Sequence, residues 1–203
     1  MKEFMAKTLE VSTISEPAEK GKHMTKSEKA LTPENKTPMC SKDFYAIPRS
    51  NDNEMVDGHT EVHKHDVAHS KELLYRYIPT HKKTGRVLEI GPGQARVTFN
   101  FLQHQFALID CVEPSDELRK QAKQRMLNEN RPYDIMYECT LQNLNLPFTV
   151  KYDAVWIQFV AQYISDGEFV QLLLKLKPHL KPEGRIFIKE NLTTDCDTII
   201  VEG

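Results

Sequence analysis

Apolar residues in this chain fall into short unbroken runs, and between the runs they recur every three or four positions. The runs include Val87-Leu88-Glu89-Ile90, Phe106-Ala107-Leu108-Ile109-Asp110-Cys111-Val112 and Asp153-Ala154-Val155-Trp156-Ile157-Gln158. A run that is hydrophobic on both faces suits a central parallel strand, because helices cover such a strand above and below. Tyr137-Glu138-Cys139-Thr140-Leu141-Gln142 reads as the end of a third strand. Leu180-Lys181-Pro182-Glu183-Gly184 closes a helix and leads into a fifth strand through Ile186, Ile188 and Asn191. Residues 115–130 and 166–177 carry helical periodicity, with Ser115 and Asp166 placed as N-caps. The order β-α-β-α-β-β-α-β predicts a doubly wound, mostly parallel α/β sheet.

In such sheets a ligand binds beyond the carboxyl end of the first strand. Here that point is Gly91-Pro92-Gly93-Gln94-Ala95-Arg96. Glycines at Gly91 and Gly93 permit positive φ and let a ligand approach the main chain. A dinucleotide turn, G-x-G-x-x-G/A, needs a third small residue for close helix–strand packing. Arg96 occupies that position and is too bulky for it. Glu89 and Arg96 instead place opposite charges around the crevice, which suits a zwitterion better than a pyrophosphate. The second run ends at Glu113, twenty positions after Gly93. That is about the ~20-residue spacing at which these folds set an acid on a ribose hydroxyl. A carboxylate accepts hydrogen bonds from two neighbouring hydroxyls at once.

The turn resembles the E/D-x-G-x-G turn of Rossmann-like class I S-adenosylmethionine methyltransferases. Over residues 41–192 the chain resembles, more narrowly, the alpha-N-terminal protein methyltransferases. These enzymes methylate the exposed α-amine of X-Pro-Lys/Arg proteins. The resemblance rests on Trp156-Ile157-Gln158-Phe159-Val160, on Leu180-Lys181-Pro182-Glu183-Gly184 and on Ile188-Lys189-Glu190-Asn191. Ile47-Pro48 and Val56-Asp57-Gly58 match an N-terminal element that covers the family's active site. The resemblance implies S-adenosyl-L-methionine as cofactor, with Gly91 and Arg96 on its methionine part and Gln158 near the same end. It implies Glu113, Pro114 and Ser115 on the ribose, and Leu141 and Gln142 beside the adenine. Asn191 is implied as the residue that binds the substrate's N-terminal residue and orients its amine. Phe44 and Tyr163 fall at substrate-facing positions. Small-molecule methylation, or a nearly silent cofactor-binding subunit, are the alternative functions.

The chain departs from the family at several points. Tyr163 stands where a His is expected, and a phenol, titrating near ~10, is a poor base at pH 7. Asp43-Phe44 replaces a Tyr-Trp pair, and Gly58 is followed directly by His59 rather than by a G-G-Y-G loop. The counterpart of a catalytic Asp falls at about Gly203, so the chain is expected to be C-terminally truncated and to lack the last two strands.

Composition narrows the rest. At 203 residues the chain can form one domain with a real core. Residues 1–38 hold seven Lys, six Glu and one aromatic, too little apolar surface to order, so residues 1–40 are expected to be a disordered tail before a domain at 41–203. The formal net charge of -2 gives no reason to expect nucleic acid or an anionic membrane as partner. The expected partners are protein N-terminal peptides. The cysteines Cys40, Cys111, Cys139 and Cys196 show no C-x-x-C spacing, which fits reduced thiols in the cytoplasm or nucleus. His59, His63, His65 and His69 lie within eleven residues, and a polar, partly exposed helix face explains them better than a metal site.

Overall fold

The computed structural model describes residues 60–78 and 85–190. Helix α1 is Thr60–Tyr77, and strand β1 is Arg86–Ile90. A π-helical stretch, Thr98–Leu102, runs into α2, Gln103–Gln105. Then follow β2 (Leu108–Val112), α3 (Asp116–Asn128), β3 (Ile135–Tyr137), β4 (Tyr152–Gln158), α4 (Asp166–Leu176) and β5 (Leu180–Lys189). The strands form one five-stranded sheet in the order β3-β2-β1-β4-β5, parallel at every pairing. From β1 the chain builds outward through β2 and β3, then crosses back to add β4 and β5 on the other side. The strand order therefore reverses between β1 and β4, which is where such sheets open a crevice at their carboxyl edge.

Both faces of the sheet are covered. On one, Leu73 and Leu74 of α1 pack with Phe101, Leu102 and Phe106 against Trp156 and Phe187. On the other, Leu172 and Leu176 of α4 pack against Leu88, Ile90, Val155 and Ile157. Alternate residues of β4 point to opposite faces, so Val155 and Ile157 serve one layer and Trp156 the other. Each fully buried side chain of this size contributes about 1.5–3 kcal/mol relative to exposure.

Three local expectations are corrected. The third strand is Ile135–Tyr137 rather than the 137–142 segment, which leaves the sheet after Tyr137. The cap of α4 is Ser165, not Asp166, because Ser165 and Glu168 form a capping box. Each satisfies a backbone donor of the other's residue, an arrangement Asp166 has no partner to make. β5 begins at Leu180, earlier than the apolar run suggests, and its pairing jumps from Tyr152↔Leu180 to Ala154↔Arg185. The intervening residues bulge, and at Gly184 a Cβ would lie 2.7 Å from the Tyr152 carbonyl oxygen, so no side chain fits there. The 1–40 tail, Phe44, the Ile47-Pro48 and Val56-Asp57-Gly58 elements, His59 and Asn191 lie outside the described residues. Among the described residues no helix is long and apolar enough to cross a membrane.

Candidate functional site

The glycine turn sits at the sheet's switch point. Gly91 has φ +67° and Gly93 φ +56°, both in the left-handed region. The Gly91 N–H donates to the Val112 carbonyl at 2.9 Å, tying the turn to the end of β2. A Cβ on Gly91 would stand 2.8 Å from Val160 Cγ2, so both conformation and space require glycine there. Ala95, also left-handed at φ +66°, redirects the chain into the π-helical stretch.

Glu113 follows β2 directly and is buried. One carboxylate oxygen accepts the Gly93 N–H at 3.1 Å and the other the Ser115 N–H at 2.9 Å. The carboxylate thus bridges the glycine turn and the start of α3, where Ser115 caps the helix by accepting the Leu118 N–H. Burial pushes the Glu113 carboxyl up to about 7, against the pull of the Ser115 and Gly93 donors and of Arg119. Pro114 is exposed beside it, and its carbonyl takes a hydrogen bond from Arg119 at 2.8 Å.

A second carboxyl, Glu89, lies at the end of β1 and is 2% exposed. It accepts the Thr98 hydroxyl, which in turn accepts the Tyr133 hydroxyl at 3.0 Å. Burial pushes Glu89 up to about 8, with Arg96 opposing, so it is largely protonated at neutral pH.

Arg96 and Gln158 meet on Asp66, a residue of α1 to which the sequence alone assigns no role. Arg96 Nη1 donates to Asp66 Oδ2 at 2.7 Å. Gln158 Nε2 donates to both Asp66 oxygens, at 2.9 and 2.8 Å, while its Oε1 accepts the Trp156 indole N–H at 2.9 Å. Lys189 Nζ lies 2.6 Å from Asp66 Oδ1 and also donates to the Asp66 carbonyl and to Ser70 Oγ. Burial alone would raise the Asp66 carboxyl, but Arg96 and Lys189 beside it hold it below the usual carboxylate range. Burial lowers the Lys189 ammonium, an effect that Asp66 counters. One signal in the sequence was available: Asp66, Ser70, Leu73 and Leu74 fall at i, i+4, i+7 and i+8, the spacing of one buried helix face.

The loop after β4 completes the crevice wall. Phe159 has φ +58°, and its ring lies 5.7 Å from the Arg96 guanidinium carbon. Glu190 holds this loop by accepting the N–H groups of Val160 and Ala161 at 2.7 and 2.9 Å. Tyr163 is half-buried in the 3-10 turn Ala161–Tyr163 that follows. Leu141 and Gln142 lie beyond the end of β3. Their carbonyls take hydrogen bonds from Lys175, and the Gln142 side chain donates to Glu168 at 2.9 Å. Among the described residues no three His, Cys, Asp or Glu side chains are grouped to hold a metal ion.

The family described as AdoMet dependent proline di-methyltransferase matches residues 35–200. The chain belongs to that family. It is 33% identical over 144 residues to an N-terminal Xaa-Pro-Lys N-methyltransferase 1-B of Xenopus laevis, covering 70% of this chain and 64% of that protein. It is 29% identical over 144 residues to the N-terminal Xaa-Pro-Lys N-methyltransferase 1 of Homo sapiens, again over 70% and 64% of the two lengths. The chain therefore aligns with somewhat less than two thirds of these relatives. Among solved structures it resembles a SAM-dependent methyltransferase of Leishmania major, with a TM-score of 0.65 and 28% identity over 74% of this chain and 58% of that one. A Pyrococcus horikoshii protein shares the fold alone, at a TM-score of 0.57 and 17% identity over 73% of this chain and 65% of that one.

Proposed function

We propose that this chain binds S-adenosylmethionine and transfers its methyl group to the α-amine of protein N-termini of the X-Pro-Lys or X-Pro-Arg type. One observation carries the reading. A glycine turn that excludes a Cβ, a buried carboxylate gripping that turn, and a buried cation converge at the switch point of a sheet in a chain of this family. These residues fit the cofactor's chemistry. Gly91 holds the backbone turn at the crevice for the methionine part, and Arg96, with Gln158 beside it, supplies positive charge for that part's carboxylate. Glu113, flanked by Pro114 and Ser115, accepts the ribose hydroxyls, and donation from those hydroxyls favours its ionised form. Leu141 and Gln142 flank the adenine.

When bound, S-adenosylmethionine supplies an electrophilic methyl on a sulfonium. An α-ammonium titrates near ~7.7–8.0, so a useful fraction of substrate is already neutral at physiological pH. A general base adds typically ~10²–10⁴-fold, and alignment of the two reactants can contribute more. The protein's main task is therefore to align the amine, a role assigned here to Asn191 with Phe44 and Tyr163 beside the substrate. Protein N-terminal peptides in the cytoplasm or nucleus are the matching partners, and the thiols of Cys111 and Cys139 are free, as reduced surroundings would leave them. A second reading, cofactor binding with little turnover, draws on Tyr163 in place of the family's His.

Two measurements test this. Calorimetry with S-adenosylhomocysteine should show binding that Glu113→Ala weakens by about 1–3 kcal/mol, the value of charge-assisted hydrogen bonds. Unchanged affinity would remove Glu113 from the ribose role. Mass spectrometry of an X-Pro-Lys peptide incubated with the protein and cofactor should show added methyl groups. Binding without any mass gain would favour the second reading.

A further inference from the structure

We infer that Asp66 is a positioning residue for the cofactor's amino-acid end, acting through Arg96 and Gln158; the inference rests on the cofactor reading above. Its carboxylate is the point at which four separate elements meet. Asp66 comes from α1, Arg96 from the turn after β1, and Gln158 and Lys189 from the paired ends of β4 and β5. All four side chains are buried, so none has water as an alternative partner.

The hydrogen bonds leave little choice of orientation. Trp156 fixes the Gln158 amide by donating to its oxygen, so the amide nitrogen faces Asp66. Ser70 and Lys189 both donate to the Asp66 carbonyl, and Lys189 also donates to Ser70, which fixes the helix turn that carries the carboxylate. Arg96 has one amino group on Asp66, with His63 Nδ1 at 3.5 Å from the same nitrogen. The guanidinium is thereby held from α1 through one of its amino groups. Charge supports the same conclusion. Among the described residues, the cations Arg96 and Lys189 face the Asp66 carboxylate, and Glu89, the other carboxyl near Arg96, is pushed toward its neutral form by burial, which leaves one positive charge in excess. A buried excess charge of this kind is costly unless another anion joins it. A ligand carboxylate would balance it, and the neighbouring glycine turn is where a ligand carboxylate arrives in the reading above.

The decisive comparison uses two probes. S-adenosylhomocysteine carries the amino-acid end; methylthioadenosine has the same nucleoside and lacks that end. Calorimetry on the full chain should show Asp66→Asn losing tenfold or more in affinity for S-adenosylhomocysteine, about 1.4 kcal/mol or more. Its affinity for methylthioadenosine should stay within about twofold, roughly 0.4 kcal/mol. Asp66→Glu keeps the charge and shifts it by one methylene, so it should show a smaller loss of the same selectivity. Equal loss of both probes, unchanged affinity for both, or failure of both variants to fold would each overturn the inference and leave Asp66 a purely structural residue. If the wild-type chain binds neither probe, the cofactor reading itself falls, which is a separate outcome.

Discussion

Glu89 and Asp66 are both buried carboxyls, and their opposite behaviour follows from their neighbours. Asp66 touches two cations and stays ionised, whereas Glu89 accepts a hydroxyl and is pushed up to about 8 by its burial. A carboxyl that holds its proton more tightly when folded favours the folded state at low pH. That advantage is lost as pH rises from the unfolded value, ~4.3, through the folded one. Glu89 and Glu113 should therefore make the protein less stable as pH climbs toward about 8 and about 7 respectively. Asp66, held below its usual range, contributes in the other direction, and its share is lost as pH falls. Glu89→Gln copies the neutral form and removes only the titration. The variant should melt near the wild type at about pH 4 and increasingly above it as pH rises from there to about 8, the window in which the unfolded chain ionises Glu89 and the folded one resists it. Melting curves across that range are the check. A variant whose stability declines with pH as steeply as the wild type's would show that Glu89 does not hold the proton.

Helix α4 begins on a device only four residues long, Ser165 to Glu168. The Ser165 hydroxyl accepts the Glu168 N–H, and the Glu168 carboxylate accepts the Ser165 N–H at 2.9 Å. The same Glu168 side chain takes the Gln142 amide, so the cap also holds the loop beyond β3. Ser165→Ala should cost about 0.5–2 kcal/mol. Urea unfolding should show this as a lower midpoint with an unchanged slope, and an unchanged midpoint would mean the cap is made only marginally in solution. Strands β1, β2 and β4 are legible in the sequence because neighbours bury both faces, and burial on both sides writes a continuous apolar run. β3 is an edge strand whose three residues are all half-buried, so it leaves no such run. The apolar residues after it, Cys139, Leu141, Leu144 and Leu146, imitate a strand but pack as loop against Leu88 and Ile90. In the site, the positions of Gly91 and Glu113 are legible because each follows a readable strand, whereas Gln158 is reached only through the family resemblance. Asp66 is hidden among histidines on a polar helix, and its burial depends on Lys189, whose place is set by the register Gln158↔Lys189.

Among the described residues, the packing of one face of the sheet centres on one side chain. Trp156, the single tryptophan, is fully buried in central strand β4. It packs between Phe101, at 5.1 Å and 72°, and Phe187, at 5.3 Å and 26°, which links the helical layer to the outer strand β5. Its indole N–H bonds to Gln158, so the core residue that organises one face also orients the crevice wall. Core and site therefore share the same elements and should be lost together. Trp156 fluorescence and far-UV circular dichroism should report coincident unfolding transitions, the behaviour of a cooperative single unit. A ligand that binds only the folded state raises its stability by RT ln(1 + [L]/Kd), about 2.7 kcal/mol at one hundred times Kd. With S-adenosylhomocysteine at that level both probes should move to higher denaturant together. Two separate transitions, with only the circular dichroism midpoint shifted by ligand, would mean that the glycine turn and the β4 core unfold independently, and the coupling through Gln158 would have to be abandoned.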